Sequence, residues 1–177
     1  MRMPIKIEKI PALNIINFYM PQPLTIANKF IVATSKESSQ NVLLRQILQI
    51  NGIERCLIAD NLIGIKYNES SKTDELTALA LAEADDYIST QPPLMPSESD
   101  LSLPDQVEAL ADSFIRPTLI RDNGNIHILS VTDNTVFIRF TGHCAGCPYA
   151  QNTLNNVIGA ALKKYLPQIQ HVQTKED

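Results

Sequence analysis

Short runs of apolar and β-branched residues alternate with helical patterns in the first half of the chain. Four runs have the length and composition of strands, at residues 14–20, 29–34, 53–59 and 62–67. Apolar residues recur at helical spacing in residues 42–48, after the start signal Ser38-Ser39, and again in residues 73–88. The first half is therefore predicted to fold as β-β-α-β-β-α.

Two local signals support this order. Asp60 and Asn61 lie between the third and fourth strands, and both residue types tolerate positive φ, so they predict a two-residue hairpin turn. Asp74 and Glu75 lie in the first turn of the second helix, where negative charge favours the helix dipole.

The second half combines two amphipathic stripes with a second hairpin pattern. The first stripe has apolar or small residues at helical spacing, at Val107, Leu110, Ala111, Phe114, Ile115, Thr118 and Leu119. The second runs through Leu154, Val157, Ile158, Ala161, Leu162 and Tyr165 until Pro167. Pro117 lies inside the first stripe, and we expect it to kink or shorten that helix.

Strand patterns between these stripes complete the second half. Residues 125–131 and 135–140 flank Asp133-Asn134, the pattern of a tight hairpin, and residues 169–172 are predicted as a last short strand. The second half is therefore predicted to fold as α-β-β-α-β, and the whole chain as an α+β protein of two small domains.

A Pro/Ser-rich segment separates the two patterns. Residues 91–104 contain four prolines and three serines and show no periodicity. Because proline fixes φ and removes a backbone donor, this composition is typical of an extended linker. We place the domains at residues 14–90 and 105–173, on either side of it.

The charge balance limits the classes of partner. The chain has 15 Lys and Arg against 19 Asp and Glu, a net charge of -4, and neither half contains a basic excess. This is too little positive charge for strong attraction to phosphate, so we expect no nucleic-acid partner.

The first residues lack the apolar core of a secretion signal and the Arg-rich pattern of a transit peptide, and no apolar run reaches the ~20 residues that cross a bilayer. Three cysteines, an odd number, suit a reducing compartment. We therefore expect a cytoplasmic protein without a membrane partner.

The candidate chemistry is concentrated at Cys144 and Cys147. A Cys-x-x-Cys pair places two soft thiolates close together, as zinc and iron-sulfur iron require. Gly142 and Gly146 allow a tight loop, and Pro148 suits the first position of a following helix. We expect both sulfurs to lie at that helix N-terminus, where the dipole would lower their pKa.

The number of ligands is the main constraint on this site. Tetrahedral zinc and a cubane cluster each take about four protein ligands, and one chain supplies two here. Cys56 lies in the other predicted domain, inside an apolar strand, and is predicted to be a buried apolar residue. The remaining ligands would therefore come from a second chain or an added thiol.

Other interpretations of the pair stay open at this point. Two small, partly buried cysteines without a ligand would have the same spacing. A dithiol oxidoreductase would use Cys144 as nucleophile and Cys147 as resolving thiol, although a hairpin rather than a βαβ unit precedes the pair. A structural zinc clasp between subunits would use the same two ligands.

The remaining polar residues suggest no catalytic site. His143 is a possible additional ligand, but a histidine at a strand end is more often a surface residue, and His127 and His171 have no partner spacing. Glycine-rich phosphate loops and His-Glu-x-x-His are absent from the sequence. We therefore expect a protein that is not an enzyme.

Residues 105–173 resemble the C-terminal domain of NifU-like proteins. The matching segments are Ile115-Arg116-Pro117, Asp122-Asn123-Gly124-Asn125-Ile126, Gly142 through Pro148, Thr153-Leu154, and Leu166-Pro167-Gln168-Ile169. The family's usual Asp-Gly-Gly-Asp-Ile turn is Asp-Asn-Gly-Asn-Ile here, and its small residue before the first cysteine is His143. The first half is similar to the Nfu-type N-terminal domain through Met20-Pro21-Gln22-Pro23, Lys29-Phe30, residues 48–52 and the hairpin 53–67.

The resemblance implies a two-domain iron-sulfur carrier. In that family type, Cys144 and Cys147 of two subunits would hold one bridging [4Fe-4S] cluster per homodimer. A donor scaffold would supply the cluster, and the carrier would then transfer it to apo iron-sulfur client proteins. Residues 14–90 would serve client interaction.

Overall fold

A computed structural model describes residues 4–35, 40–90, 99 and 101–175. The chain forms two compact units, Met1–Leu101 and Ser102–Asp177, each with its own sheet. Helices and strands are mixed in both, which confirms the α+β class. The start signal Ser38-Ser39 and most of the predicted linker 91–104 lie outside the described residues.

The first unit contains a five-stranded sheet of order β1-β2-β5-β4-β3, in which every paired strand is antiparallel to its neighbour. Its strands are β1 (Lys6–Ile10), β2 (Ile15–Tyr19), β3 (Phe30–Ala33), β4 (Ile53–Ala59) and β5 (Leu62–Tyr67). A 3₁₀ turn, Pro11–Leu13, joins the first two. The sequence did not predict β1, because this edge strand alternates charged and apolar residues and leaves most side chains exposed or half-buried.

Two helices follow the predicted spacing in this unit: α1 (Val42–Leu48) and α2 (Thr73–Thr90). The N-cap of α1 is Asn41, whose side-chain oxygen accepts a hydrogen bond from the Leu44 amide at 3.0 Å. Apolar residues of both helices and of one sheet face form a single buried cluster. The predicted Asp60-Asn61 turn joins β4 and β5, with Asp60 at φ 50°.

The second unit has the predicted α-β-β-α-β order, and its sheet has the order β6-β7-β8. The helices are α3 (Leu103–Leu110), α4 (Arg116–Arg121), α5 (Ala150–Thr153) and α6 (Ala160–Tyr165), with π-helical segments Ala111–Ile115 and Leu154–Gly159 between them. The strands are β6 (Gly124–Thr132), β7 (Thr135–Gly142) and β8 (His171–Thr174). Because Leu103 and Pro104 are already helical, the last two residues of the predicted linker belong to α3.

Pro117 neither ends nor visibly shortens the helical segment, because a π turn precedes it. The amide of Arg116 bonds to the carbonyl of Ala111, five residues earlier. The extra residue in this turn rotates the following residues around the helix axis. Thr118, predicted on the buried stripe, is therefore exposed, whereas Arg116 and Pro117 are buried.

The second hairpin agrees with its prediction. Asp133 and Asn134 have φ of 48° and 60°, and they join β6 to β7 as a two-residue turn. β8 pairs with β7 in parallel, starting two residues later than predicted, and Ile169 is buried just ahead of it. Within the described ranges, every helix is too short or too polar to span a bilayer.

Candidate metal centre

Cys144 and Cys147 lie in one loop, between the end of β7 and the start of α5. Both are free thiols and both are half-buried. The structure therefore places the two predicted ligands in the same surface loop.

Two glycines shape this loop. Gly142 has φ 62° and Gly146 has φ 79°, a conformation that side chains with a Cβ rarely adopt. Backbone bonds close successive turns, from the Ala145 amide to the Gly142 carbonyl at 3.1 Å and from the Cys147 amide to the Cys144 carbonyl at 3.4 Å. The glycine spacing around the cysteines thus has the turn-forming function that the sequence predicted.

The following helix begins later than predicted. Pro148 and Tyr149 are still in the turn, and α5 starts at Ala150, whose amide bonds to the Cys147 carbonyl at 3.0 Å. α5 continues without a break through the π segment into α6, so the helix N-terminus lies three residues beyond Cys147. The prediction that Pro148 occupies the first helical position is wrong.

The electrostatic environment of Cys144 also differs from the prediction. Partial burial raises the pKa of the Cys144 thiol above its ordinary value, and the nearby negative charges of Cys147 and Asp122 raise this pKa further. The expected lowering of the Cys144 pKa by a helix N-terminus is therefore wrong for the chain without metal. Binding a cation beside the two sulfurs would remove this mutual repulsion.

Gly124 lies directly against the Cys144 side chain. A Cβ added at position 124 would lie 2.1 Å from Cys144 Sγ and 3.2 Å from Cys144 Cβ. Gly124 is buried at the start of β6 and faces Gly142 in the sheet register. Sequence reasoning gave Gly124 no role at the site, and the Asp-Asn-Gly-Asn turn was its available signal.

A second contact fixes the base of the loop. The His143 amide donates to the Asn123 carbonyl at 3.0 Å, and a Cβ at Gly142 would lie 2.3 Å from that same carbonyl oxygen. Asn123 has φ 54°, a left-handed conformation that asparagine accepts more readily than most residues. The turn before β6 and the end of β7 are thus held together beside the cysteines.

Arg116 hydrogen-bonds to β6, the strand that begins at Gly124. Its Nη1 lies 2.7 Å from Asp112 Oδ1 and 2.8 Å from Glu108 Oε1, and its Nε donates to the Ile126 carbonyl at 3.2 Å. Arg116 and Asp112 are almost fully buried. This buried ion pair was not predicted, because the π turn that directs Arg116 inward has no simple sequence signature.

The other candidate side chains are either buried in the first unit or exposed to solvent. Cys56 is fully buried in β4, and burial raises its pKa far above the ordinary value. His127, His143 and His171 are exposed. Across the part of the chain that the structure describes, no group of three or more His, Cys, Asp or Glu side chains is arranged to hold a metal ion.

One family model matches the segment that carries this loop. Residues 107–173 match the NifU-like domain family. The human mitochondrial protein named NFU1 iron-sulfur cluster scaffold homolog is 25% identical over 98% of this chain and 72% of its own length. The matched family thus covers both cysteines, and the human relative extends the similarity to nearly the whole chain.

Two further relatives are similar over smaller portions. The protein of the same name from Drosophila persimilis is 24% identical over 74% of this chain, which spans 50% of that protein. NifU-like protein 1, chloroplastic, from Arabidopsis thaliana is 32% identical over 54% of this chain and 38% of its own length. This chain therefore corresponds to about half or less of these two relatives.

Proposed function

We propose that this chain, which carries a NifU-like domain and is related along most of its length to iron-sulfur cluster scaffold proteins, is itself an iron-sulfur cluster carrier. Its cargo is one [4Fe-4S] cluster held between two copies of the chain. Each copy contributes Cys144 and Cys147, and the loaded homodimer passes the cluster to apo-proteins in the cytoplasm. The protein binds and delivers the cluster and is not an enzyme.

The placement of the three cysteines carries this proposal. Cys144 and Cys147 share one half-exposed loop, whereas Cys56 is fully buried inside a sheet. A cubane cluster takes about four thiolates, so two accessible sulfurs form half of its site. Soft thiolates are the preferred ligands of iron-sulfur iron, and a second copy supplies an identical pair.

Exposure of the loop supports delivery as well as binding. A thiolate of a client protein must reach the iron atoms before the carrier cysteines dissociate from them. A half-exposed site at a turn permits this approach. Tyr149, directly after the second cysteine and its proline, is 69% exposed and extends the accessible surface. Storage of a cluster in a closed core would give the opposite burial pattern.

The first unit has an open cavity. The cavity, of about 510 Å³, lies where the end of α1 meets the start of α2, and its mostly polar lining also includes Ile50, Leu76 and Leu79. Leu79 is 47% exposed, so part of this lining faces solvent. We propose that residues 14–90 hold the client here during transfer, and that Leu79→Asp slows transfer without reducing cluster content.

Anaerobic reconstitution tests the binding proposal. Iron and sulfide should each approach about four per dimer, and loading should convert the chain to a dimer in light scattering. Cys144→Ala and Cys147→Ala should each abolish stable loading. Cys56→Ala is the matched control, and it should retain full iron, full sulfide and the dimer.

Three outcomes would contradict the proposal. A cluster that persists in the Cys144→Ala/Cys147→Ala double variant would exclude these ligands. Tight zinc without visible absorption after anaerobic purification would indicate a structural zinc clasp. Catalytic insulin reduction by the metal-free protein, lost in Cys144→Ala, would indicate a dithiol oxidoreductase.

A further inference from the structure

The two cysteines of the loop have different surroundings. Gly124 leaves a notch in β6, and Cys144 occupies it so closely that a Cβ at position 124 would lie 2.1 Å from Cys144 Sγ and 3.4 Å from its backbone nitrogen. The backbone beside Cys144 is held as well, because the His143 amide donates to the Asn123 carbonyl at 3.0 Å. Cys144 is therefore packed against the sheet.

The second cysteine follows an open part of the loop. A Cβ built at Gly146 meets nothing within 4 Å, so the residue before Cys147 has free space around it. The Cys147 amide makes only a long hydrogen bond, 3.4 Å, to the Cys144 carbonyl. Exposed Pro148 and Tyr149 follow it and precede the helix. The Cys147 carbonyl accepts from the Ala150 amide at 3.0 Å, so the backbone bonds of Cys147 stay within the loop and the start of α5, whereas Cys144 packs against β6.

We infer that the two sulfurs have different roles in cluster transfer: Cys144, seated against Gly124, is the anchored ligand, and Cys147 is the ligand that an accepting thiolate displaces first. This inference rests on the proposed function. Gly124 is then a positioning residue, which acts on the cluster through the placement of Cys144.

The exchange step conserves atoms and electrons. The sulfur of the incoming thiolate forms a bond to an iron atom while the bond from that iron to Cys147 Sγ breaks. Cys147 leaves as a thiolate and takes up the proton that the incoming thiol released. Iron and sulfide keep their oxidation states, so the step requires no oxidant or reductant.

Alkylation of the metal-free chain tests the structural part. The full-length protein is treated with iodoacetamide, and mass spectrometry follows modification of Cys144 and Cys147 separately. Rates are compared in the alkaline plateau, where both thiols are ionised, so that access alone decides them. We expect Cys147 to react roughly tenfold faster than Cys144. Cys144 must leave its preferred rotamer before its sulfur can react, and the cost of that change corresponds to this factor in rate.

The Gly124→Ala variant identifies the cause of this difference. The added methyl displaces the short Cys144 side chain from its notch, so the two rates should become similar. Gly159→Ala is the matched control, because it adds the same methyl within the same unit beside Leu154 rather than beside a thiol, and it should keep the wild-type ratio. Equal rates in the wild type, or an unchanged ratio in Gly124→Ala, would overturn the inference.

A pulse experiment on the loaded wild-type dimer tests the order without any variant. A protein with free thiols that accepts a [4Fe-4S] cluster is added, and samples are quenched with iodoacetamide during transfer. Cys147 should become labelled before Cys144. Simultaneous labelling, or Cys144 first, would overturn the order while the measured iron and sulfide still support the carrier function. If this chain takes up no iron, both the order of displacement and the carrier function would be overturned.

Discussion

Arg116 Nε donates a hydrogen bond to the backbone carbonyl oxygen of Ile126, which ties the helical segment of the second unit to β6 two residues beyond Gly124. The same guanidinium pairs with the buried carboxylate of Asp112 at 2.7 Å. Burial lowers the pKa of Arg116, but the hydrogen bonds and charges of Glu108 and Asp112 outweigh this and raise the pKa above its ordinary value. Arg116 therefore remains charged.

Removal of this guanidinium should strongly destabilise the second unit. Arg116→Met leaves the Asp112 carboxylate buried beside an apolar side chain, at a cost of about 3–5 kcal/mol. Arg116→Lys should lie between wild type and Arg116→Met, because one ammonium cannot reproduce the fork of the guanidinium. Native-state hydrogen exchange of amides in residues 103–175 measures the change.

A double variant separates burial of charge from loss of packing. Arg116→Met with Asp112→Leu removes both charges, so it should be more stable than Arg116→Met alone. Equal destabilisation of the single and double variants would show that the ion pair is not the origin of the effect.

Two glycines of the cysteine loop should differ in their sensitivity to alanine. Both have positive φ, so each substitution carries a backbone cost of about 1–3 kcal/mol. Gly142→Ala also places a Cβ 2.3 Å from the Asn123 carbonyl oxygen, whereas the Cβ of Gly146→Ala meets nothing within 4 Å. Hydrogen exchange in β6 and β7 should therefore show the larger loss of stability for Gly142→Ala. Equal losses would exclude the backbone contact as a cause.

A substitution at Asn134 should make the hairpin turn at Asp133-Asn134 more stable. Asn134 has φ 60° at the second turn position, where a type I′ turn favours glycine. Asn134→Gly should raise the free energy of unfolding of the second unit, and Asn134→Val should lower it, because a β-branched side chain opposes positive φ. Urea titration followed by hydrogen exchange of β6 and β7 amides measures both changes. A stabilising valine would contradict the turn assignment.

Cys56 should make the stability of the first unit depend on alkaline pH. Burial raises the Cys56 pKa above its ordinary value of 9.0, so the folded chain keeps the thiol proton at a pH where the unfolded chain loses it. Stability from this group is complete below pH 9.0 and falls above it as pH rises, by up to about 1.4 kcal/mol per pH unit. Denaturation of wild type and Cys56→Ala at several pH values should show the extra decline only in wild type. Parallel pH profiles would contradict the burial of this thiol.

Local signals predicted much of the fold. The strand patterns at residues 53–59 and 62–67 and the helix at 42–48 match β4, β5 and α1 in their bounds, because periodicity and a two-residue turn are short-range properties. The pattern did not predict β1, although a short 3₁₀ turn joins it to its partner β2, because this edge strand alternates charged and apolar residues.

The sequence by itself determined the chemistry of the loop: two thiols with two residues between them, glycines that allow the turn, and a shortage of candidate ligands within one chain. Tertiary structure decided the rest, because these features depend on residues far apart in the sequence. It placed Gly124 against Cys144, raised the pKa of Cys144 through partial burial, and brought buried Arg116 to the carbonyl of Ile126. Side-chain spacing along the chain gives the candidate ligands, whereas packing across β6 and β7 gives each cysteine its own environment.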